Sequence, residues 1–277
     1  MTNDAPELDG RRIVLTRRAE DEGELRAALE ARGAEVISTP AIRVVPVAID
    51  HPDRRLLDEP ARYTHVVFTS ANAVRSFVEA LEAAREGHER DARSDVRAGW
   101  EHARTACVGP RTEAALASAG WPVHYTARGG SGLALAHELL DEERLGPHHH
   151  VLLPQSESAR SELAATLEAA EVRATAAVLY ATEAEAKERA SELEALVAEG
   201  ERPDAVVFFS PSAVRGFLTI ISDRVRRAIE AGSVAIISIG PTTSAAARSA
   251  GFEVAAEAGT PSVEAVVGAL EETLGGG

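Results

Sequence analysis

Residues 68–77 read FTSANAVRSF, and residues 208–217 read FFSPSAVRGF. Phe, Ser, Ala, Val, Arg and Phe recur at a constant offset, six matches in ten positions. In each copy a short apolar run ends in small hydroxyl residues and passes into a helical pattern, which predicts a strand, a turn and a helix. A second pair follows in the same order: VGPRTEAALASAGWPV from Val108 aligns with IGPTTSAAARSAGFEV from Ile239. A third, weaker pair aligns residues 13–29 with 151–167. Repetition at this scale predicts an internally duplicated chain.

Outward from these repeats, β-rich runs alternate with Ala/Glu/Leu-rich stretches of helical period, the pattern of an α/β protein with parallel sheets. Strands are predicted at residues 12–16, 35–38, 65–69, 105–108 and 123–125, and again at 150–153, 173–180, 205–209, 234–238 and 253–255. Residues 85–98 and 141–149 read as surface insertions, and the acidic stretch 183–201 reads as a solvated helix face.

At 277 residues the chain is long enough for two domains. Its net charge of -15, with Lys187 the one lysine among 29 basic residues, disfavours contact with nucleic acid phosphates. The excess of Asp and Glu, the abundant Ala and the scarcity of Lys predict a halophilic-type protein adapted to a salty cytoplasm. No apolar run approaches the roughly 20 residues of a membrane span, and the polar N-terminus lacks the form of a secretory signal, so a cytoplasmic protein is expected. The single cysteine, Cys107, lies in an apolar run and reads as a core thiol.

The repeated turns are the candidate sites. Helix starts present unpaired N–H groups and partial positive charge, which favour carboxylates and phosphates. Ser70 and Asn72 occupy one turn, Ser210 and Ser212 its counterpart. Gly109-Pro110-Arg111-Thr112 and Gly240-Pro241-Thr242-Thr243 form the second pair, with Gly opening the backbone and Thr supplying a donor. The same residues also serve as ordinary N-caps. Neither a Walker loop nor a GxGxxG after the first strand is present, and Gly-x-Ser-x-Gly is absent. His148, His149 and His150 lack a further ligand and read as a solvated loop edge. An enzyme acting on a small anion, including a sugar phosphate, and a two-lobed binding or regulatory protein without chemistry both stay open from the residues alone.

Taken in order, IVLTRR, GAEVISTPAIRVVP, VVFTSANAVRSF, CVGPRTEAALASAG, LLPQSESARSEL, VLYATE, VVFFSPSAVRGF, IGPTTSAAARSAG and TPSVEAVVGAL resemble uroporphyrinogen-III synthase. The resemblance runs over about residues 11–273 and leaves out the acidic insertion. It implies two flavodoxin-like lobes joined by a two-stranded linker, with lobe one at 1–42 plus 179–277 and lobe two at 43–178. The crossing strands are then expected near 42–47 and 177–182. The repeat alone cuts the chain near residue 145; both partitions hold if the lobes exchanged their first units after duplication.

The resemblance further implies cofactor-free cyclisation of hydroxymethylbilane, with the substrate's eight carboxylates held between the lobes; apart from it, no metal site and a monomer are expected. It assigns Tyr180 to the departure of the ring A hydroxyl. It assigns Thr112, Thr243, Ser70 and Ser210 to substrate positioning, and Arg17 and Arg160 to carboxylate pairing.

Overall fold

The computed structural model describes residues 8–18, 21–86, 97–231, 233–260 and 262–275; most of the insertion read at 85–98 lies outside them. The elements in chain order are β1 (Arg12–Leu15), α1 (Gly23–Glu30), β2 (Glu35–Ser38), β3 (Ile42–Pro46), β4 (His65–Phe68), α2 (Ala71–Glu86), β5 (Arg104–Cys107) and α3 (Pro110–Ser118). There follow β6 (Tyr125–Thr126), α4 (Gly132–Asp141), β7 (His150–Ser156), α5 (Glu162–Ala169), β8 (Arg173–Ala184) and α6 (Ser191–Ala198). The chain continues through β9 (Ala205–Phe208), α7 (Pro211–Ile220), α8 (Asp223–Glu230), β10 (Ala235–Ser238), α9 (Pro241–Ser249), β11 (Val254–Glu257) and α10 (Val263–Leu274). Contacts divide it into one unit of Met1–Arg43 and Glu183–Gly277 and another of Val44–Thr182.

The first unit holds a five-stranded sheet in the order β11-β10-β9-β1-β2. β1 runs parallel to β2 and β9, and β10 runs parallel to β9 and β11. Alternate residues feed opposite layers, as the two-residue period of a strand requires. Ile13, Leu15, Val207 and Ile237 pack with Leu25, Leu29, Val266 and Leu270 of α1 and α10. Val14, Val206, Phe208 and Ile236 pack with Leu193, Val214, Phe217 and Val225 of α6, α7 and α8. Burial on both faces explains why the inner strands β1, β9 and β10 are largely apolar instead of alternating with polar residues.

The second unit holds the order β3-β8-β7-β4-β5-β6. β4 is parallel to β5 and β7, β5 to β6, and β7 to β8. Val66, Phe68 and Leu152 meet Val74, Phe77 and Leu116 of α2 and α3 on one face. Val67, Ala106, Val151 and Leu153 meet Leu135, Leu139, Leu163 and Leu167 of α4 and α5 on the other.

Three expectations change. β7 continues beyond 153 to Ser156 through Pro154, a residue whose missing N–H argues against a strand when read alone. The stretch 183–201 is no single solvated helix: β8 runs on to Ala184, a 3-10 turn follows at Lys187–Ala190, and α6 buries Leu193 and Val197. His150 is no solvated loop edge either: it opens β7, is buried, and its Nε2 lies 2.7 Å from Thr175 Oγ1. No helix among the described residues is long and apolar enough to cross a membrane.

Candidate active site

Adjacent parallel strands bring the repeated turns together in pairs. In the second unit the Val108 N–H donates to the Phe68 carbonyl at 3.1 Å, joining the β4–α2 and β5–α3 turns. In the first unit the Ile239 N–H donates to the Phe208 carbonyl at 3.2 Å, joining the β9–α7 and β10–α9 turns. All four turns follow the carboxyl ends of strands, where open α/β sheets bind their ligands.

Ser70 and Ser210 cap their helices identically. Each hydroxyl oxygen accepts from the N–H three residues on, Ala73 and Ala213, at 3.1 Å. Ser131, Ser222 and Ser262 do the same for α4, α8 and α10, so a cap alone distinguishes no turn here. The second contact of each hydroxyl is what differs. Ser70 Oγ lies 3.1 Å from the phenol oxygen of Tyr180, whereas Ser210 Oγ lies 2.9 Å from Ser212 Oγ. Asn72, the counterpart of Ser212, accepts instead from Arg75 Nη2 at 2.6 Å.

Tyr180 is 6% exposed. Burial raises its phenol above the ordinary value, while the Ser70 and Ser156 hydroxyls and the charge of Arg75 pull it back. The phenol therefore stays protonated at neutral pH.

Thr112 and Thr243 lie in the first turns of α3 and α9, and both are buried. Gly109 and Gly240 before them have extended backbones, and a Cβ on either would meet nothing within 4 Å. Both glycines thus face open space at the turns that start α3 and α9. Behind Thr243 the fold is polar: Ser238 Oγ lies 2.6 Å from Ser244 Oγ, which donates to Glu257 Oε2 at 2.5 Å. Behind Thr112 the equivalent place is taken by buried Cys107, whose sulfur lies 3.5 Å from Thr126 Oγ1 and whose thiol burial pushes up.

Arg17, in the turn after β1, stacks its guanidinium 4.3 Å above the Phe209 ring, beside Ser210. Arg160 is exposed in the connection between β7 and α5. The second unit thus gathers Ser70, Asn72 and Tyr180, with Thr112 on the next turn, and the first gathers Arg17, Ser210, Ser212 and Thr243. Ser156 and Arg75 escaped the sequence reading. Arg75 was signalled by its place in the repeat, whereas Ser156 lay past the expected end of β7.

Among the described residues no group of three or more His, Cys, Asp or Glu is arranged to hold a metal ion. A cavity of about 540 Å³ in the first unit, lined by Arg11, Asp204, Glu230 and Phe252, lies at the amino ends of β9 and β10, away from these turns.

Residues 23–268 match the family model of uroporphyrinogen-III synthase HemD. A porphyrin biosynthesis protein HemD from Ruminiclostridium josui is 27% identical over 98% of this chain, which spans about half (50%) of that relative's length. A mutant uroporphyrinogen III synthase from the extreme thermophile Thermus thermophilus superposes with a TM-score of 0.60 at 18% identity, covering 96% of this chain and 99% of that one. The uroporphyrinogen-III synthetase from Helicobacter pylori 26695 gives a TM-score of 0.60 at 19% identity, covering 93% and 97%.

Proposed function

The chain belongs to the uroporphyrinogen-III synthase family, and from that membership we propose that it closes hydroxymethylbilane to uroporphyrinogen III, with loss of water and inversion of ring D, in tetrapyrrole biosynthesis. The observation that carries the reading to this chain's own residues is the protonated phenol of Tyr180 bound to the capping serine of a repeated turn. Tyr180 donates a proton to the ring A hydroxyl as it leaves, and the pyrrole nitrogen lone pair supplies the electrons. A weak acid suffices because the departing oxygen becomes more basic as its bond to carbon stretches.

The substrate's carboxylates are taken by the helix starts. Thr112, Ser210, Ser212 and Thr243 donate from their hydroxyls, Asn72 orients its turn through Arg75, and Arg17 and Arg160 pair with carboxylates. Local donors of this kind let a chain of net charge -15 hold an anionic ligand. Loss of water balances the reaction, so it calls for no cofactor and no metal. The enzyme works as a cytoplasmic monomer, apart from nucleic acid and membrane.

Both units descend from one flavodoxin-like module. Renumbered from β1, the first sheet has the flavodoxin order 2-1-3-4-5. Renumbered from β7, so does the second apart from β3, as an exchange of first βα units after duplication requires.

Product analysis tests the function. Given freshly made hydroxymethylbilane, the purified protein yields the type III isomer. Formation of the type I isomer alone, the product of uncatalysed closure, would leave a protein that binds without catalysing.

A further inference from the structure

Tyr180 faces Ser70 because β8 breaks its own alternation. Ala177 and Leu179 are buried in the layer beneath α2, and strict two-residue alternation would turn Tyr180 to the opposite face. The register between β7 and β8 slips at this point: Gln155 pairs with Val178, but Ser156 pairs with Tyr180, leaving Leu179 as the extra residue. Tyr180 is thereby turned back to the side of Leu179 and shares its cluster with Phe68, Val74 and Phe77. The Glu157 N–H donates to the Tyr180 carbonyl at 2.9 Å and fixes the slipped register. Such irregularities re-aim a side chain next to a functional site.

The proton inventory then constrains who donates. The Ser70 oxygen already accepts from the Ala73 N–H, and a serine hydroxyl carries one proton. If the phenol gives its proton to Ser70, none is left for a substrate. If Ser70 donates to the phenol oxygen, the phenol proton is free. Ser156, the cross-strand partner of Tyr180, lies on the same face of the sheet, and its hydroxyl lowers the phenol as that of Ser70 does.

We infer that Ser70 and Ser156 are positioning residues that donate to the phenol oxygen of Tyr180 and direct its proton at the departing hydroxyl, an inference that rests on Tyr180 being the acid. In the step, the phenol proton passes to the hydroxyl oxygen, the carbon–oxygen bond breaks with its electron pair on oxygen, and water leaves. The phenolate is held by the two serine hydroxyls. It recovers a proton from the pyrrole carbon made tetrahedral by ring closure, which restores aromaticity without any oxidant or reductant.

The test uses the full chain labelled with ¹³C at the tyrosine Cζ. Its three tyrosines, Tyr63, Tyr125 and Tyr180, give three signals, the last identified by its loss in Tyr180→Phe. Ser156→Ala is the cleaner probe, since Ser70→Ala also removes a helix cap. Ser156→Ala is expected to move the Tyr180 signal at neutral pH, leave those of Tyr63 and Tyr125 in place, and lower kcat about 3- to 10-fold with KM unchanged. Ser156→Thr, which keeps the hydroxyl, restores both. If Ser156→Ala leaves signal and kcat unmoved while Tyr180→Phe still slows turnover, the donor role is overturned and the acid role stands. If Tyr180→Phe turns over at the wild-type rate, the acid role fails and takes this inference with it.

Discussion

The β4–α2 and β9–α7 turns are built from the same repeated segment, capped by the same serine contact, and placed beside the same kind of neighbouring Gly-Pro turn. They differ in what meets the cap hydroxyl: a buried phenol in one and a serine in the other. The difference extends to the whole of each unit. All three tyrosines, all nine histidines and both tryptophans fall within residues 44–182. The phenol, imidazole and indole side chains therefore all lie in one of the two units, and the matching turn of the other has none of them in its own unit.

The helix position after the shared arginine exposes the largest difference. Ser76 is buried in α2, but its counterpart in α7 is Gly216, where a Cβ would come within 2.2 Å of the Ala41 carbonyl oxygen. That carbonyl accepts from the Glu185 N–H at 3.1 Å, so it is not free to move aside. Gly216→Ser is expected to cost about 3 kcal/mol or more in urea unfolding. A loss under 1 kcal/mol would show that the two helices pack alike.

Acid provides the second contrast. His65 is buried with His149, Arg104 and His124 against it and Glu143 as the one opposing charge, and its imidazole is held down to about 4. Its ring lies 5.4 Å from that of His149. In the unfolded chain a histidine takes up its proton near pH 6.5. Between the two values the unfolded state binds a proton that the folded state refuses, so stability is full above pH 6.5 and declines as pH falls towards 4. The loss reaches roughly 3 kcal/mol. Fluorescence of Trp100 and Trp121 reports the second unit, and its acid midpoint should fall to lower pH in His65→Gln. An unchanged midpoint would remove His65 from the transition.

The smallest effect is the reverse exchange. Ser76→Gly puts glycine into the interior of α2 without relieving any close approach, and should cost about 1 kcal/mol. A gain in stability would mean that α2 also needs a close backbone approach there.

Most of the sheet was legible because the inner strands β1, β4, β7, β9 and β10 carry apolar runs that are buried, and because the repeat fixed which turns correspond. β3 has no such run: its residues are half-buried or exposed, and the resemblance alone pointed to residues 42–47. Ser70, Ser210, Thr112 and Thr243 stand out as candidates in the sequence from their place at the starts of repeated helices. The contact of Ser70 with Tyr180 was not, since it depends on β8 lying two strands from β4 and on a one-residue slip in register. Neither leaves a mark in composition or period. Ser156 stayed hidden behind Pro154, and α6 was obscured because Ala190, Leu193 and Val197 are a sparse apolar stripe among acidic residues.

The division of labour between the two turns is tested most directly by steady-state kinetics of Tyr180→Phe beside the double change Ser210→Ala, Ser212→Ala. Tyr180→Phe should lower kcat about 10- to 100-fold with KM little changed, and the double change should raise KM while kcat holds. Equal losses in the same parameter, or wild-type turnover by Tyr180→Phe, would contradict it.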